Sequence, residues 1–299
     1  MEILNISEKK FNTLKPFELE KNIFNGEAKL FVYEEKNKWD KQQYILKKLY
    51  NDFGTVFSNK LYTVNELIDK KRFIDIDELV MPDRIVTIDS KVVGFIMPLI
   101  ENINFKTMLD SIEFSNEQKI AYFKEIGEIL EKMRKVREYT SVHEFYLNDI
   151  HENNFILNKE TGKINAVDLD SCKIGHNLPF VSKYLSPFSP INEFSKYRKV
   201  TSGLSVGGCI LPDQNTDIFC YVITILNYLV GRNINNFKMV EFFDYLTYLH
   251  TLGVSYELID KFALIFSNKE NENPYEYLDE LVNVIGKSHY NVYKLTKKK

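Results

Sequence analysis

The first hundred residues alternate short apolar runs with polar stretches, which is typical of strands around a single helix. Ser58–Phe73 is predicted to be that helix, because Leu61, Val64 and Ile68 recur at spacings of three and four residues. Four short runs are predicted to be strands: Ala28–Tyr33, Gln43–Leu49, Arg84–Ile88 and Lys91–Met97. The last two strands would form a hairpin across Asp89-Ser90.

The remaining two hundred residues follow a mainly helical pattern. Ser115, with Gln118 three residues later, is a capping-box pattern that predicts the start of a helix. The apolar residues of this helix would form one stripe: Ile120, Phe123, Ile126, Leu130 and Met133. Thr216–Val230 is apolar on nearly every face and is followed by Gly231, which predicts a helix in the middle of a lobe.

Together these patterns predict an α+β fold in two lobes. Residues 1–100 would form a small β-rich lobe, and residues 101–299 would form a larger helical lobe. The chain would cross from one lobe to the other near Met97–Asn102.

Composition and charge narrow the class of protein. Hydrophobic residues make up 44% of the 299-residue chain and charged residues 27%, which is ordinary for a globular protein. The formal net charge of -3 argues against a general nucleic-acid binder, which would be basic. The three cysteines, Cys172, Cys209 and Cys220, are too few and too scattered for a disulfide framework or a zinc site.

The sequence also predicts a cytoplasmic protein that has no membrane partner. Its N-terminal residues lack a positive segment followed by a long apolar core, so no signal peptide is expected. The most apolar stretch, Ile218–Val230, contains Thr224 and Asn227 and is too short to span roughly 30 Å of hydrocarbon.

The residues best suited to chemistry lie in two neighbouring segments. Asn154 follows Asp149 after five residues, and Asp168 follows Asn154 after fourteen more. Between them, Phe155–Leu157 and Lys163–Asp168 are predicted to be two strands joined by a turn. Asp149 can accept a proton from an attacking hydroxyl or orient it, whereas Asn154 and Asp168 offer the hard oxygen ligands that suit Mg²⁺.

These segments resemble the protein-kinase-like superfamily. The family's catalytic loop carries His-Arg-Asp with an Asn five residues after the Asp, and its metal loop is Asp-Phe-Gly. The corresponding residues here are Leu147-Asn148-Asp149 with Asn154, and Asp168-Leu169-Asp170. The catalytic Asp and both metal ligands match the family pattern, whereas its His, Arg, Phe and Gly are absent.

The resemblance extends to the phosphate-binding part of the first lobe. Tyr44-Ile45-Leu46-Lys47 resembles the family strand whose Lys grips the ATP phosphates. Glu66, 19 residues after Lys47, resembles the helix Glu that pairs with this Lys. Asn25–Leu30 resembles the phosphate loop and would place Gly26 and Ala28 near the nucleotide, with one glycine where protein kinases usually have three.

Two further segments resemble the family's hinge and its buried helix. Phe95–Ile100 resembles the last strand and the hinge, with Met97 as gatekeeper. Pro98 has no N–H, which fits a hinge position that offers only its carbonyl to adenine, and Ile100 would offer the N–H. Asp217, at the start of the buried helix, resembles the Asp that ties down the backbone of the catalytic loop.

The resemblance implies a bilobal protein-kinase-like fold and a divergent bacterial Ser/Thr protein kinase. ATP and Mg²⁺ would be its cofactors, and it would transfer phosphate to Ser or Thr hydroxyls of a protein substrate or of the protein itself. Thr201 and Ser202 are the expected self-modification sites, because Lys196, Arg198 and Lys199 lie close by in sequence and can pair with phosphate.

Two other functions fit parts of the same motifs. Small-molecule kinases of the aminoglycoside or choline type often carry His two residues after the catalytic Asp, as His151 follows Asp149 here. In a protein kinase, His151 would replace a phosphate-facing Lys and approach the γ-phosphate.

A partner-binding pseudokinase would explain the lost His and glycines, but not the retained polar residues: Lys47, Glu66, Asp149, Asn154 and Asp168. Tyr184–Phe188 resembles the end of the family's activation segment, and the stretch from Lys183 to Asp217 favours a protein substrate.

Overall fold

The computed structural model describes residues 3–18, 28–36, 41–50, 54–177, 214–231, 234, 239–260 and 275–287. Strands dominate the N-terminal part and helices the later part, so the mixed α+β fold predicted from the sequence is confirmed. The strands are β1 (Ile3–Ile6), β2 (Lys15–Pro16), β3 (Ala28–Lys36), β4 (Lys41–Leu49), β5 (Arg84–Ile88), β6 (Lys91–Pro98), β7 (Asn102–Asn104), β8 (Phe145–Tyr146), β9 (Phe155–Asn158), β10 (Ile164–Ala166) and β11 (Lys173–Ile174).

The helices follow the same numbering along the chain. They are α1 (Glu8–Phe11), α2 (Gly54–Lys70), α3 (Phe105–Asp110), α4 (Asn116–Tyr139), α5 (Gln214–Val230), α6 (Met239–Thr251) and α7 (Tyr275–Val282). Short 3₁₀ turns occupy Lys71–Phe73, Glu152–Asn154 and Leu169–Ser171.

Two compact units make up the chain. The first unit combines three segments of the sequence: Met1–Phe105, Lys135–Phe145 and Asn153–Asn177. The second unit combines the other three: Lys106–Arg134, Tyr146–Glu152 and Leu178–Lys299. The first unit therefore holds the strand-rich region together with the β9–β10 hairpin, and the second holds the loop around Asp149.

A six-stranded sheet, formed by described residues, is the framework of the first unit. Its strand order is β1-β5-β6-β4-β3-β2, and β1 runs parallel to β5 while the other neighbours run antiparallel. The predicted hairpin of β5 and β6 is confirmed. Asp89 (φ 46°) and Ser90 (φ 69°) have the positive φ values that a two-residue type I′ turn requires.

The two faces of this sheet bury different side chains, because successive residues of a strand point to opposite faces. One face buries a cluster of six residues: Ile6, Tyr33, Tyr44, Leu46, Val86 and Ile96. The other face buries a cluster that includes one residue of α2: Ala28, Leu49, Val64, Ile85 and Phe95. Lys47 follows Leu46 in β4 and therefore projects towards the face covered by α2.

Helix α2 begins and ends earlier than the predicted Ser58–Phe73. It starts at Gly54 and ends at Lys70, after which Lys71–Phe73 tightens into a 3₁₀ turn. Its most buried residues lie three or four positions apart, as one face of a helix requires: Lys60, Thr63, Val64 and Leu67. Two polar side chains, those of Lys60 and Thr63, are thus buried along with two apolar ones.

The second predicted hairpin is also present. β9 and β10 pair antiparallel, with Phe155 opposite Ala166, and β7 lies along the other side of β9. Asn158 closes the turn, because its Oδ1 accepts hydrogen bonds from the backbone N–H of Glu160 (2.9 Å) and Thr161 (3.3 Å). β10 ends at Ala166, so Asp168 lies just after the strand rather than within it.

Helix α5 is buried along almost its whole length in the second unit, as its apolar sequence predicts. Tyr221 donates a 2.6 Å hydrogen bond to the Phe123 carbonyl of α4, which ties the two helices together. Gly231 (φ 70°) ends α5 in the left-handed conformation expected of a residue just past a helix. Among the described residues, no helix is both long enough and apolar enough to cross a membrane.

Candidate functional site

Lys47 is buried on the α2 side of the first unit's sheet, and its side chain is only 5% exposed. Its ammonium group contacts Oδ1 of Asp168 and lies 2.8 Å from Oδ1 of Asp170. The neighbouring Lys48 projects to the opposite face, where its Nζ lies 4.7 Å from the centre of the Phe11 ring. Strand alternation thus places Lys47, and not Lys48, among the carboxylates.

A glycine in β6 allows the close strand approach beside Lys47. A Cβ atom at Gly94 would lie only 1.9 Å from the Lys47 carbonyl oxygen, so no side chain fits there. β6 also bulges at this point, because Gly94 pairs with Val86 while Val92 pairs with the next residue of β5. The bulge and the missing side chain together fix the backbone from which Lys47 projects.

The β9–β10 hairpin brings the two predicted metal ligands to one end of its stem. The Val167 N–H donates a 2.9 Å hydrogen bond to the Asn154 carbonyl, next to the last pair of residues that joins the two strands. Asp168 follows Val167 and has a left-handed backbone (φ 64°, ψ 38°), which is uncommon outside glycine. Its side chain keeps 36% of its surface exposed. Asn154 and Asp168 therefore lie at the same edge, and the Asp168 carboxylate is accessible.

Asp170, by contrast, has a fully buried side chain. It lies in the 3₁₀ turn Leu169–Ser171, and its two carboxylate oxygens are used by two different lysines. Oδ1 accepts from Lys47 at 2.8 Å, and Oδ2 accepts from Lys60 of α2 at 3.0 Å. The Lys60 side chain is 5% exposed. Asp170 therefore joins β4 to α2 through a buried Lys–Asp–Lys bridge.

The pKa values in this cluster reflect the proximity of its charges. Burial opposes the charge on Lys47, but the two carboxylates outweigh it and raise the pKa of the ammonium group. Although 36% of its side chain is exposed, partial burial opposes the charge on Asp168, but the two lysines and a hydrogen bond with Asp170 hold its pKa well below its usual range. Burial and the nearby Asp168 charge raise the pKa of Asp170. Asp168 is thus the carboxylate that stays charged at the accessible edge.

The expected pairing of Glu66 with Lys47 is not formed, which corrects the sequence expectation. The Glu66 carboxylate instead lies 2.6 Å from Nζ of Lys70, one turn along the same helix. It also covers Gly175 (φ 60°), where a Cβ atom would lie 2.8 Å from Glu66 Oε2. The reason is helical geometry, because the buried stripe of α2 passes through Lys60 and leaves Glu66 beside it.

The end of β6 contains the residues expected to meet a nucleotide base. Met97 packs against the α2-side cluster, and Pro98 lies opposite Tyr44 of β4. Asn102 Nδ2 donates a 2.7 Å hydrogen bond to the Ile100 carbonyl, whereas the Ile100 N–H donates none within the described ranges. That N–H can therefore donate to a ligand.

The predicted phosphate loop is only partly described. Ala28 is buried at the start of β3, where it lies opposite Leu49 of β4. Gly26 lies outside the described residues.

In the second unit, Asp217 holds the loop that carries Asp149. Its two carboxylate oxygens accept hydrogen bonds from the backbone N–H of Leu147 (2.9 Å) and of Asn148 (2.7 Å). Asn148 has a left-handed backbone with φ 64°, a conformation that Asn tolerates better than most residues. A charged acceptor with two donors strongly fixes this unusual loop conformation. Asp217 itself is 3% exposed and lies in the first turn of α5.

Two side chains with possible chemical roles follow this anchored backbone. The Asp149 N–H donates a 2.7 Å hydrogen bond to the Leu147 carbonyl, which makes a tight turn. His151 Nε2 lies 3.5 Å from Oδ2 of Asp149, and the two side chains are 12% and 24% exposed. Farther along α5, Thr224 Oγ1 donates to the Ile150 carbonyl at 3.5 Å. Asp149 and His151 therefore form a partly accessible pair on a fixed loop.

Sequence reasoning missed two residues of the first unit's cluster, Lys60 and Asp170. Asp170 stands where the resembled metal loop has Gly, and an acidic residue at a glycine position was the available signal. Lys60 precedes Val64 by one helical turn, which places a lysine on the apolar stripe of a helix. The expected activation-like stretch, including Tyr184–Phe188, Thr201 and Ser202, lies outside the described residues.

No family model matches the chain, and no curated protein matches it significantly. The functional interpretation therefore depends on the geometry of the two residue groups: the Lys47 cluster in the first unit and the Asp149 loop in the second.

Proposed function

We infer that the protein is a phosphotransferase with a bilobal protein-kinase-like fold, using ATP and Mg²⁺ and acting on Ser or Thr hydroxyls of proteins, itself included. One observation carries this proposal. Lys47 projects from the middle of β4 onto Asp168, at the edge where the β9–β10 hairpin also brings Asn154. A buried lysine beside a charged, accessible carboxylate suits the phosphates and metal ion of a nucleotide.

The residues present fit a magnesium ion. Asp168 would supply a carboxylate that stays charged, and Asn154, whose backbone lies at the same hairpin end, would supply a neutral side-chain oxygen. Within the described ranges no group of three or more His, Cys, Asp or Glu side chains is placed to hold a metal ion by itself, so phosphate oxygens would have to complete the coordination. When bound, the ion neutralises charge on the transferred phosphate.

The first unit also offers a fit for the adenine base. The N–H of Ile100 donates no hydrogen bond within the described ranges, and its carbonyl is held by Asn102. Pro98 contributes only a carbonyl, because its nitrogen carries no hydrogen. The Ile100 N–H, just after β6, is the kind of donor that the edge of an adenine ring requires. Ala28 and Met97 line the same face of the sheet.

In the second unit, the Asp149 loop supplies the group that orients the hydroxyl. Asp217 fixes the backbone of Leu147 and Asn148, so Asp149 projects from a rigid turn. A carboxylate in that position accepts the proton of a Ser or Thr hydroxyl as the phosphoryl group is transferred. His151 lies beside Asp149 and, in this proposal, faces the transferred phosphate.

A small-molecule kinase is the second candidate, and His151 is the observation that favours it. His151 follows Asp149 by two residues, as is common in small-molecule kinases, and its side chain lies 3.5 Å from the Asp149 carboxylate. The stretch that favours a protein substrate, Lys183–Asp217, is described only from residue 214 onwards. A pseudokinase that binds partners is the remaining alternative.

Intact-protein mass spectrometry separates these functions. The wild type and Asp149→Asn are incubated with ATP and Mg²⁺, and ATP consumption is measured in parallel. We expect the wild type to gain one or more phosphate masses, with Thr201 or Ser202 as the best candidates, and Asp149→Asn to gain none. ATP consumption that needs an added small alcohol and leaves the mass unchanged would indicate a small-molecule kinase. Neither turnover nor mass shift, even with added protein substrates, would contradict the proposed function.

A further inference from the structure

The helix expected to offer a carboxylate to Lys47 offers a lysine instead. Glu66 is paired with Lys70 at 2.6 Å, and both side chains are about one quarter exposed (24% and 29%). Lys60, on the buried stripe of α2, reaches Asp170 at 3.0 Å. The link between β4 and α2 therefore runs through Asp170, a residue of the segment that follows β10.

We propose that Asp170, anchored by Lys60, is the positioning carboxylate that orients Lys47. The triad Lys47–Asp170–Lys60 would thus orient the strand lysine, which is the role that the sequence predicted for a direct pair with a helix glutamate. This inference rests on the proposed function, because it assigns Lys47 to the phosphates of the nucleotide.

The geometry of Asp170 suits this role better than that of Asp168. The Asp170 side chain has no exposed surface, whereas that of Asp168 is 36% exposed and accessible to a metal ion. The 3₁₀ turn around Asp170 is closed by a 3.1 Å hydrogen bond from the Cys172 N–H to the Leu169 carbonyl. Each lysine has a separate oxygen of Asp170, so Lys47 keeps a buried partner when Asp168 turns to another ligand.

A second buried contact holds α2 against the same segment. Asn177 Nδ2 donates to Thr63 Oγ1 at 2.6 Å and to the Cys172 carbonyl at 2.7 Å. Asn177 Oδ1 in turn accepts from the Ile174 N–H at 2.9 Å. Thr63 follows Lys60 by one helical turn, so both polar residues of the buried stripe bind residues 170–177. Buried polar contacts of this kind are costly to break singly, and they hold the helix in one position.

The test compares binding of MgATP with binding of adenosine, measured by isothermal titration calorimetry. Adenosine lacks the phosphates that Lys47 would bind, so the ratio of the two affinities reports on Lys47 and not on general damage. We expect Asp170→Asn and Lys60→Met each to weaken MgATP binding by about tenfold or more and adenosine binding by less than about twofold.

Matched variants on the same helix control for the change of side chain. Lys70→Met makes the same substitution outside the triad and is expected to leave the affinity ratio unchanged. Lys60→Arg keeps the charge and is expected to recover most of the ratio lost in Lys60→Met. If Asp170→Asn fails to fold, the comparison of Lys60→Met with Lys60→Arg still decides the proposal.

The outcomes distinguish this inference from the proposed function. A wild type that binds neither MgATP nor adenosine would contradict the proposed function. A wild type that binds MgATP, together with triad variants that keep its affinity ratio, would overturn the triad alone. A larger loss in Glu66→Gln than in Asp170→Asn would also overturn it, because Glu66 would then be the positioning carboxylate.

Discussion

Replacing Asp217 with Asn tests how the loop that carries Asp149 is held. In the structure both carboxylate oxygens of Asp217 accept backbone N–H groups, at 2.9 and 2.7 Å. The Asn side chain keeps one acceptor oxygen and turns an NH₂ group towards the second backbone N–H. One hydrogen bond to a charged acceptor is therefore lost, and one buried donor is left without a partner in the variant.

The magnitude follows from these two effects. A hydrogen bond to a charged group contributes about 1.5–3 kcal/mol, and an unsatisfied buried donor costs about 1–3 kcal/mol. The two overlap, because they concern the same N–H, so we expect the free energy of unfolding to fall by about 2–4 kcal/mol. At about 2–4 °C per kcal/mol, the melting temperature would fall by about 4–16 °C.

Urea unfolding followed by circular dichroism measures this loss, and Asp279→Asn is the matched control. Asp279 is 62% exposed and lies 3.2 Å from Lys124, so its exposed ion pair contributes about 0–1 kcal/mol. Equal unfolding free energies for Asp217→Asn and Asp279→Asn would refute the anchoring role. If the protein transfers phosphate as proposed, the folded Asp217→Asn variant should do so more slowly, since its Asp149 loop is no longer fixed.

Two further predictions concern the sheet of the first unit. Gly94→Ala should lower the free energy of unfolding by about 1–3 kcal/mol, because the added Cβ would lie 1.9 Å from the Lys47 carbonyl oxygen. Gly54→Ala should leave the free energy of unfolding unchanged, because a Cβ there has no atom within 4 Å. Equal denaturant midpoints for the two variants would contradict this prediction. Glu35→Gln should lose the stabilisation from Arg84, which lies 2.6 Å away and lowers the pKa of Glu35. Because the pKa of Glu35 is lowered in the folded state, the variant should have a smaller free energy of unfolding than the wild type, and this difference should be complete above pH 4.5. The difference should vanish as the pH falls through the folded-state pKa of Glu35. A difference in the free energy of unfolding that persists in acid would refute the assignment.

Local features of this fold were predictable from the sequence. The capping box forms as expected, since Ser115 N–H donates to Gln118 Oε1 at 2.8 Å and Gln118 N–H donates to Ser115 Oγ at 3.3 Å. The Asp89-Ser90 turn forms with both residues at positive φ, a conformation that Asp tolerates better than most residues. Each of these features depends on residues within a few positions of one another, so the sequence pattern alone determines it.

Pairings between distant residues were harder to predict. β1 pairs in parallel with β5, which lies about eighty positions later, and its short run Ile3–Ile6 carries no alternation that reveals a partner. The partner of Lys47 was misassigned for a related reason. Spacing along the sequence favoured Glu66, but the rotation of α2 about its axis, which depends on packing, brings Lys60 to the interior instead. Asp170 could be recognised as a partner only once β10 and α2 were placed.

The most direct test of the central claim is MgATP binding by Lys47→Met, with Lys48→Met as the matched control. The two lysines are adjacent in β4, but Lys47 contacts Asp168 and Asp170 while Lys48 lies on the other face against Phe11. Isothermal titration calorimetry should show that the wild type and Lys48→Met bind MgATP alike, and that Lys47→Met binds about tenfold or more weakly. Equal affinities for Lys47→Met and the wild type would contradict the claim that this cluster is the phosphate site.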